Sequence, residues 1–193
     1  MNSLQRKILT VVVMMIFGVA LNAQSNQSGL WIGAEGGLSY PVGHDIVQSG
    51  ESLYLSFEYA NIIQMGVFPV NLGLELGYQR FAMNRSSVGA LDQYPYGIFI
   101  NTNLTQSVRP KLAVKPGIFV GTFNGDFRRG EHRNEMLFGV SVPVKIDYQL
   151  SNKFKIGLAF RAFRVFGFPD YSDTLYNDFV DFGIGLSYFI PIR

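Results

Sequence analysis

The sequence predicts an all-β fold, a closed antiparallel barrel of eight strands, and two observations support this prediction. Short stretches recur in which apolar residues alternate with small or polar ones, as in "NLGLELGYQRF" at 71–81. A period of two is typical of a strand with one apolar face. After the N-terminal segment no run of 18 apolar residues occurs, so the sequence offers no helical membrane span there.

Eight alternating stretches give the strand count. Each has about the 9–11 residues of a tilted membrane strand, or slightly more. In chain order, we expect strands over 30–40, 62–70, 71–81, 94–106, 111–123, 135–149, 153–166 and 178–190.

The links between these stretches are predicted to alternate in length. Tight links are expected at Val70–Asn71, 107–110 and 150–152. Longer loops are expected over 41–61, 82–93, 124–134 and 167–177. Short turns on one side and long loops on the other are typical of bacterial outer-membrane barrels. An even number of antiparallel strands also brings both chain ends to the short-turn side.

Glycines indicate which face of the strands points outward. The apolar phase of the strands contains only Gly36, whereas the opposite phase contains twelve: Gly33, Gly37, Gly66, Gly73, Gly77, Gly97, Gly117, Gly121, Gly139, Gly157, Gly183 and Gly185. A narrow lumen requires small residues, and a water-facing surface does not. We therefore predict an eight-stranded antiparallel up-and-down transmembrane β-barrel with its leucines against lipid. The alternative is a soluble ligand-binding barrel, which would place the large residues inside and the charges outside.

Three further features bear on this orientation. Pro116 and Pro143 fall inside strands, where the missing N–H predicts a bulge or a local break. Arg80 and Arg164 fall on the lipid phase near the long-loop ends, where a cation costs only about 0–1 kcal/mol. Aromatic girdles are expected near both interfaces. Near the long loops they comprise Tyr40, Tyr59, Tyr78, Tyr94, Tyr96, Phe166 and Phe168, and near the short turns Phe68, Tyr148, Phe154 and Tyr188.

The N-terminus has the three-part plan of a secretory signal peptide. Arg6 and Lys7 precede an apolar run at 8–21, and "LNAQS" follows. We expect a signal peptide at 1–23 and a single barrel domain at 24–193. The alternative, an anchoring helix, requires about 20 apolar residues. The chain's formal excess of two positive charges equals the two basic residues of this segment, and no basic stripe suggests nucleic-acid binding.

The residue inventory gives little support for catalysis. The absence of cysteine excludes disulfides, thiolate metal sites and a cysteine nucleophile. His44, Asp45, Ser49 and Ser52 form a serine–histidine–aspartate inventory without signature spacing, and His132 lies in another loop. We expect no catalytic residues, no cofactor and no metal. A barrel enzyme acting on lipid A or peptide stays a less favoured alternative.

Charged residues of the inward phase form the main candidate site. Because buried charges must pair, we expect a structural network in the lumen, formed by Glu35, Glu75, Lys115, Lys145, Arg161 and Asp181. The alternative is a narrow polar conduit or gate. Inward aromatic residues would help to block such a channel: Trp31, Phe99, Phe119, Phe163 and Phe189.

A second candidate lies in the loop "NGDFRRGEHR" at 124–133. Its basic residues Arg128, Arg129 and Arg133 suggest contact with anionic lipopolysaccharide or a surface partner. A merely solvated loop is the alternative.

Three stretches carry a family resemblance: the "LNAQ" junction, the first strand "GLWIGAEGGLSYPVG" and the closing "FGIGLSYFI". Over 24–193 the chain resembles the small OmpA/OmpX-type outer-membrane β-barrels, and more narrowly the PorT-like outer-membrane barrel proteins of Bacteroidetes. The resemblance implies outer-membrane localisation and insertion by the barrel assembly machinery. Family members typically end in an aromatic residue, whereas this chain continues past Phe189 to "IPIR". The implied role is structural, surface-interacting, or in support of the envelope or secretion. The alternative role is a small-solute conduit.

Overall fold

Eight β-strands make up most of the chain that the computed structural model describes, which comprises residues 29–42, 47–65, 68–83, 90–105, 111–127, 134–166 and 178–192. The strands are β1 (Gly29–Pro41), β2 (Val47–Met65), β3 (Phe68–Met83), β4 (Leu91–Thr102), β5 (Leu112–Phe127), β6 (Asn134–Gln149), β7 (Phe154–Phe166) and β8 (Asp178–Pro191). Within those residues, no helix is long and apolar enough to cross a membrane.

The strands form one closed barrel in chain order. Each strand pairs antiparallel with the next, and β1 closes the ring by pairing with β8 over Gly29–Pro41. β1 begins and β8 ends at the same end of the barrel, which we call the terminal end. The opposite end is called the loop end. The predicted all-β, eight-stranded antiparallel barrel is confirmed.

The largest departure from the predicted strands concerns β2. The sequence placed a loop over 41–61 and a strand over 62–70, whereas β2 begins at Val47 and ends at Met65. Its outward residues include the exposed Leu53 and Leu55, and its inward residues include the buried Tyr54 and Glu58. Serines, a glutamate and a tyrosine on the inner face gave this segment a loop-like composition, which hid its period of two.

A β-bulge near the terminal end of β2 explains why the next link was also misplaced. The pairing of β2 with β3 shifts register between Tyr59 and Ile63. Asn61 adopts a φ of 60°, a left-handed conformation that asparagine tolerates better than most residues. Its backbone N–H donates to the Oδ1 atom of Asn71 at 2.9 Å. The Asn71 side chain therefore supplies a hydrogen-bond partner within the bulge.

The links between strands confirm the predicted order of connections but not their predicted lengths. The predicted link at Val70–Asn71 lies inside β3, so that prediction is wrong. The terminal-end links are 66–67, 103–111 and 150–153, and the loop-end links are 42–46, 84–90, 128–133 and 167–177. The lengths at the two ends overlap because the strands extend into segments predicted as long loops.

The orientation of the strands is confirmed. On the outside, the side chain of Leu74 is 55% exposed and that of Ile184 is 62% exposed. On the inside, Glu75, the residue after Leu74, is buried. Asp181, on the same strand as Ile184, is buried as well. A soluble barrel with an apolar cavity requires the reverse arrangement.

The inward glycines make room for large side chains inside the barrel. A Cβ atom added to Gly139 would lie 2.4 Å from the Phe123 ring, and one added to Gly77 would lie 2.6 Å from the Tyr54 ring. By contrast, a Cβ atom on the outward Gly36 would meet nothing closer than 4.0 Å. Of the twelve predicted inward glycines, Gly66 lies outside the described residues.

The prolines predicted to disturb the strands, Pro116 and Pro143, lie at an interruption in the pairing but do not shift its register. The β5–β6 ladder lacks pairs between Pro116–Val144 and Phe119–Ser141, yet the register is the same on both sides of the gap. Pro143 lies opposite Arg161 within a continuous β6–β7 register. The prediction of a local break is therefore confirmed for β5–β6, and neither proline produces a bulge.

Exposed aromatic side chains lie near both ends of the barrel, as predicted. At the loop end they include Tyr40, Tyr94, Tyr96 and Phe166, and at the terminal end Phe68, Tyr148, Phe154 and Tyr188. Tyr59 was predicted at the loop end, but it pairs with Leu30 near the terminal end. That error follows from the misplaced β2. Phe168 lies outside the described residues.

Candidate functional site: the barrel lumen

A ring of four alternating charges occupies the terminal half of the lumen. The Lys115 ammonium lies 2.6 Å from the Glu58 carboxylate and 3.3 Å from that of Asp147. The Lys155 ammonium lies 3.0 Å from Asp147 and 3.6 Å from Glu58. All four side chains are buried. Each charge has two partners of opposite sign, which offsets the cost of removing it from water.

Amide groups and aromatic rings extend this ring around the lumen. The Asn101 side chain donates to Glu58 at 2.8 Å, and the Asn71 side chain donates to Asn101 at 2.7 Å. On the other side, the Lys155 ammonium lies 4.4 Å from the centre of the Trp31 ring, which contacts the Phe189 ring. The resulting belt joins inward side chains of all eight strands.

Arg161 is the centre of a second group of charges, on the loop-end side of this belt. It donates to both Glu35 carboxylate oxygens, with a distance of 2.8 Å from Nη2 to Oε2. Its Nε and Nη2 atoms also donate to the two Glu75 oxygens, at 3.1 and 2.9 Å. Lys145 donates to Glu75 at 3.1 Å. Arg161 is 0% exposed, so its guanidinium group donates its hydrogen bonds inside the protein.

Asp181 has different neighbours from those that the sequence suggested. It lies opposite Arg161 in the β7–β8 register. Its Oδ2 atom, however, accepts hydrogen bonds from the Tyr54 hydroxyl and from Gln79, the latter at 2.9 Å. The Tyr54 side chain separates Asp181 from Arg161 further, because the Arg161 guanidinium lies over the Tyr54 ring, 4.2 Å from its centre. Asp181 is thus held by neutral donors.

Aromatic rings fill the loop half of the lumen. We call these residues the phenylalanine plug: Phe81, Phe119, Phe123, Phe163 and Phe179. Their rings pack against one another, with the centres of Phe163 and Phe179 only 4.6 Å apart. Each ring is nearly or fully buried. Two of the predicted blocking aromatics, Phe119 and Phe163, belong to the plug, whereas Trp31 and Phe189 lie at the terminal end.

A small recess remains in the terminal half of the lumen. Its lining includes Trp31, Gly33, Ser56, Lys145 and Ser187, and none of the plug phenylalanines. The Ser56 and Ser187 hydroxyls flank Gly33 so closely that an added Cβ atom would lie 2.7 and 2.8 Å from them. This space suits water or a small polar solute. It ends below the phenylalanine plug.

The structure places the six predicted lumen residues inside the barrel, but in separate groups. Lys115 belongs to the belt, whereas Glu35, Glu75, Lys145 and Arg161 form the central group. The sequence missed Glu58, Asp147 and Lys155 as members of the charged set. Glu58 was hidden by the misplacement of β2. Asp147 and Lys155 could have been found, because they share the inward phase with Lys145 and Gly157.

The other candidate residues are scattered or undescribed. Ser49 is exposed on β2 and Ser52 is buried in the lumen. His44, Asp45 and His132 lie outside the described residues, as do the loop residues Arg128, Arg129 and Arg133. No group of three or more histidine, aspartate or glutamate side chains that could hold a metal occurs in the described part of the chain.

Solved structures with a similar fold are small outer-membrane barrels. Neisserial surface protein A matches with a TM-score of 0.59 at 12% identity, over 83% of this chain and 96% of that one. OprG of Pseudomonas aeruginosa matches with a TM-score of 0.54 at 14% identity, over 87% and 98%. Ail of Yersinia pestis matches with a TM-score of 0.53 at 11% identity, over 86% and 100%. This chain has the fold of the small outer-membrane β-barrels.

Sequence comparisons add nothing finer. No protein-family model matches the chain, and no curated protein sequence matches it. At 11–14% identity the structural likeness establishes the fold alone. The narrower resemblance to the PorT-like proteins of Bacteroidetes therefore stays a prediction.

Proposed function

We propose that the protein is a non-enzymatic, integral outer-membrane barrel with a closed lumen. Its role would be structural, surface-interacting, or in support of the envelope or a secretion system. One observation carries the proposal: exposed leucines, isoleucines and valines face outward around a lumen of paired charges and packed rings. Exposing such a belt to water costs about 25 cal/mol per Å², a cost that lipid removes.

The predicted outer-membrane localisation fits this role. Segment 1–23 would direct export and be removed, and the barrel assembly machinery would insert the remaining domain. In bacterial barrels the short turns face the periplasm. The two shortest links, 66–67 and 150–153, lie at the terminal end, which supports placing that end on the periplasmic side. The loop end would then meet lipopolysaccharide, and Arg128, Arg129 and Arg133 would contact its anionic groups.

Membrane fractionation and gel migration test the proposal. We expect the chain in the outer-membrane fraction, with faster gel migration before heating than after it, because a folded barrel resists the denaturing detergent. Recovery in the soluble fraction, without heat-modifiable migration, would contradict it.

Planar-bilayer recording tests the closed lumen. Support for a closed lumen comes from the phenylalanine plug and from Arg161, whose side chains are buried among the described residues. We expect no stable single-channel steps, with a porin in the same bilayer as the positive control. Reproducible steps would favour a small-solute conduit.

An activity assay tests the non-enzymatic assignment. The unaltered chain and its His44→Ala variant would be compared on lipid A and on peptide substrates. We expect no turnover by either. Turnover that the substitution abolishes would favour a barrel enzyme.

A further inference from the structure

Two exposed lysines lie in neighbouring links at the terminal end of the barrel. Lys111 ends the link 103–111, and Lys153 ends the link 150–153. The N–H group of Gln149, the last residue of β6, donates to the Lys111 carbonyl at 2.8 Å, which joins the first link to the residue before the second. The Phe189 N–H group donates to the Lys153 carbonyl at 2.9 Å. Both lysines are therefore carried by hydrogen-bonded backbone.

The described surroundings of these lysines are apolar on the outside and contain no exposed acid. Tyr148 and Phe154 are exposed beside them, and Phe154 packs on Tyr188 with ring centres 5.1 Å apart. Among the described residues, the acidic side chains of this end, Glu58 and Asp147, are buried in the lumen. Neither lysine ammonium has an ion-pair partner in the described part of the chain.

The two outward arginines that the structure describes near the loop end have different surroundings. Arg164 forms an ion pair with Asp178 at 3.3 Å. The Nε atom of Arg80 lies 3.9 Å from the Asp92 carboxylate, and Glu51 lies opposite Arg80 in the β2–β3 register. Among the described residues, the outward arginines at the loop end thus have acidic neighbours within the protein, whereas Lys111 and Lys153 have no ion-pair partner.

From this asymmetry we infer that Lys111 and Lys153, with the aromatic side chains Tyr148, Phe154 and Tyr188, bind the headgroup of an anionic phospholipid in the leaflet at the terminal end. The inference rests on the proposed membrane location. The positively charged ammonium groups attract the negatively charged headgroup phosphate, and the aromatic rings lie at the depth of the headgroup region. Each lysine near an anionic membrane surface contributes about fivefold to lipid affinity.

A fluorescent reporter in the same turn tests the inference. The side chain of Leu150 is 58% exposed between the two lysine links, so Leu150→Trp places an indole at the site. The folded chain would be inserted into mixed phosphatidylglycerol and phosphatidylcholine vesicles with bromine, a quencher, on one lipid or the other. The parent chain, with its single Trp31 in the lumen, supplies the background.

We expect the reporter to sense at least a fivefold preference for phosphatidylglycerol. Lys111→Gln combined with Lys153→Gln should bring the preference close to one, and high salt should do so without any substitution. The matched control, Arg80→Gln combined with Arg164→Gln, removes the same charge at the other end and should leave the preference unchanged.

Equal quenching by the two lipids, or a preference that survives the lysine substitutions, would overturn the inference. Heat-modifiable migration of every variant separates this failure from a failure of the proposed function. A chain that migrates as a folded barrel but shows no lipid preference contradicts only the headgroup site. A chain that never inserts contradicts the membrane barrel itself.

Discussion

At the scale of single residues, the lumen combines large charged groups with small neighbours. Arg161 satisfies two carboxylates from β1 and β3 at once, and its guanidinium is covered by the Tyr54 ring. The space for these side chains comes from glycine, as at Gly183, where an added Cβ atom would lie 2.3 Å from Glu35. The interior glycines therefore leave the space that the interior charged side chains occupy.

Removing the Arg161 guanidinium should be strongly destabilising. Arg161→Met leaves Glu35 without a described cationic partner and Glu75 with Lys145 alone. Breaking a buried pair in this way costs about 3–5 kcal/mol. The free energy of unfolding in urea, measured on the barrel inserted in lipid vesicles, should fall by that amount. Arg164→Met is the matched control, because that side chain is 63% exposed and its pair contributes about 0–1 kcal/mol. Equal losses for the two variants would contradict the central role of Arg161.

Two glycine substitutions should differ in their effect on stability. In Gly139→Ala the new methyl group meets the Phe123 ring of the plug, whereas in Gly36→Ala it points into open space. Overpacking of this kind costs about 1–3 kcal/mol, and the outward substitution should change stability by less than about 0.5 kcal/mol. Thermal unfolding in the same detergent, followed by circular dichroism, compares them. A larger loss for Gly36→Ala would argue that β1 is packed the other way round.

At the scale of strands, the bulge at Asn61 shifts the register in which β2 pairs with β3. Replacing Asn61 by a β-branched residue should be costly, because its φ of 60° is strained for most side chains. We expect Asn61→Val to lower the free energy of unfolding by about 1–2 kcal/mol and Asn61→Gly to leave it nearly unchanged. Urea titration of the inserted barrel measures both. Equal stabilities of the two variants would show that the left-handed conformation does not matter.

The strands also show where sequence reasoning succeeds and where it stops. In β7 and β8, large residues alternate with glycine, alanine or serine over 156–160 and 182–188, and the predicted bounds differ from the observed ones by a residue at most. β2 was missed because its inner face is Ser52, Tyr54, Ser56 and Glu58, which reads as loop without knowledge of the strand opposite. The pairing of Glu58 with Lys115 joins strands that are not neighbours, and no local pattern encodes a contact across the lumen.

At the scale of the whole molecule, the barrel is closed in two different ways. The loop half is filled by packed phenylalanines, and the terminal half by the ion-pair and amide belt. The glycine phase predicted that the interior would be crowded. Which ring or charge fills each glycine gap depends on the register of all eight strands, so the two zones could not be predicted from the sequence.

The outward direction of the leucines is the central claim, and spin-label accessibility in lipid vesicles tests it most directly. The chain contains no cysteine, so single labels can be placed at Leu74→Cys, Ile184→Cys and, in an exposed turn, Ser151→Cys. Oxygen, which concentrates in the bilayer, should reach the first two labels far better than a water-soluble nickel chelate does, and Ser151→Cys should show the reverse. Labels at Leu74 and Ile184 that the chelate reaches as readily as the turn label would contradict the account.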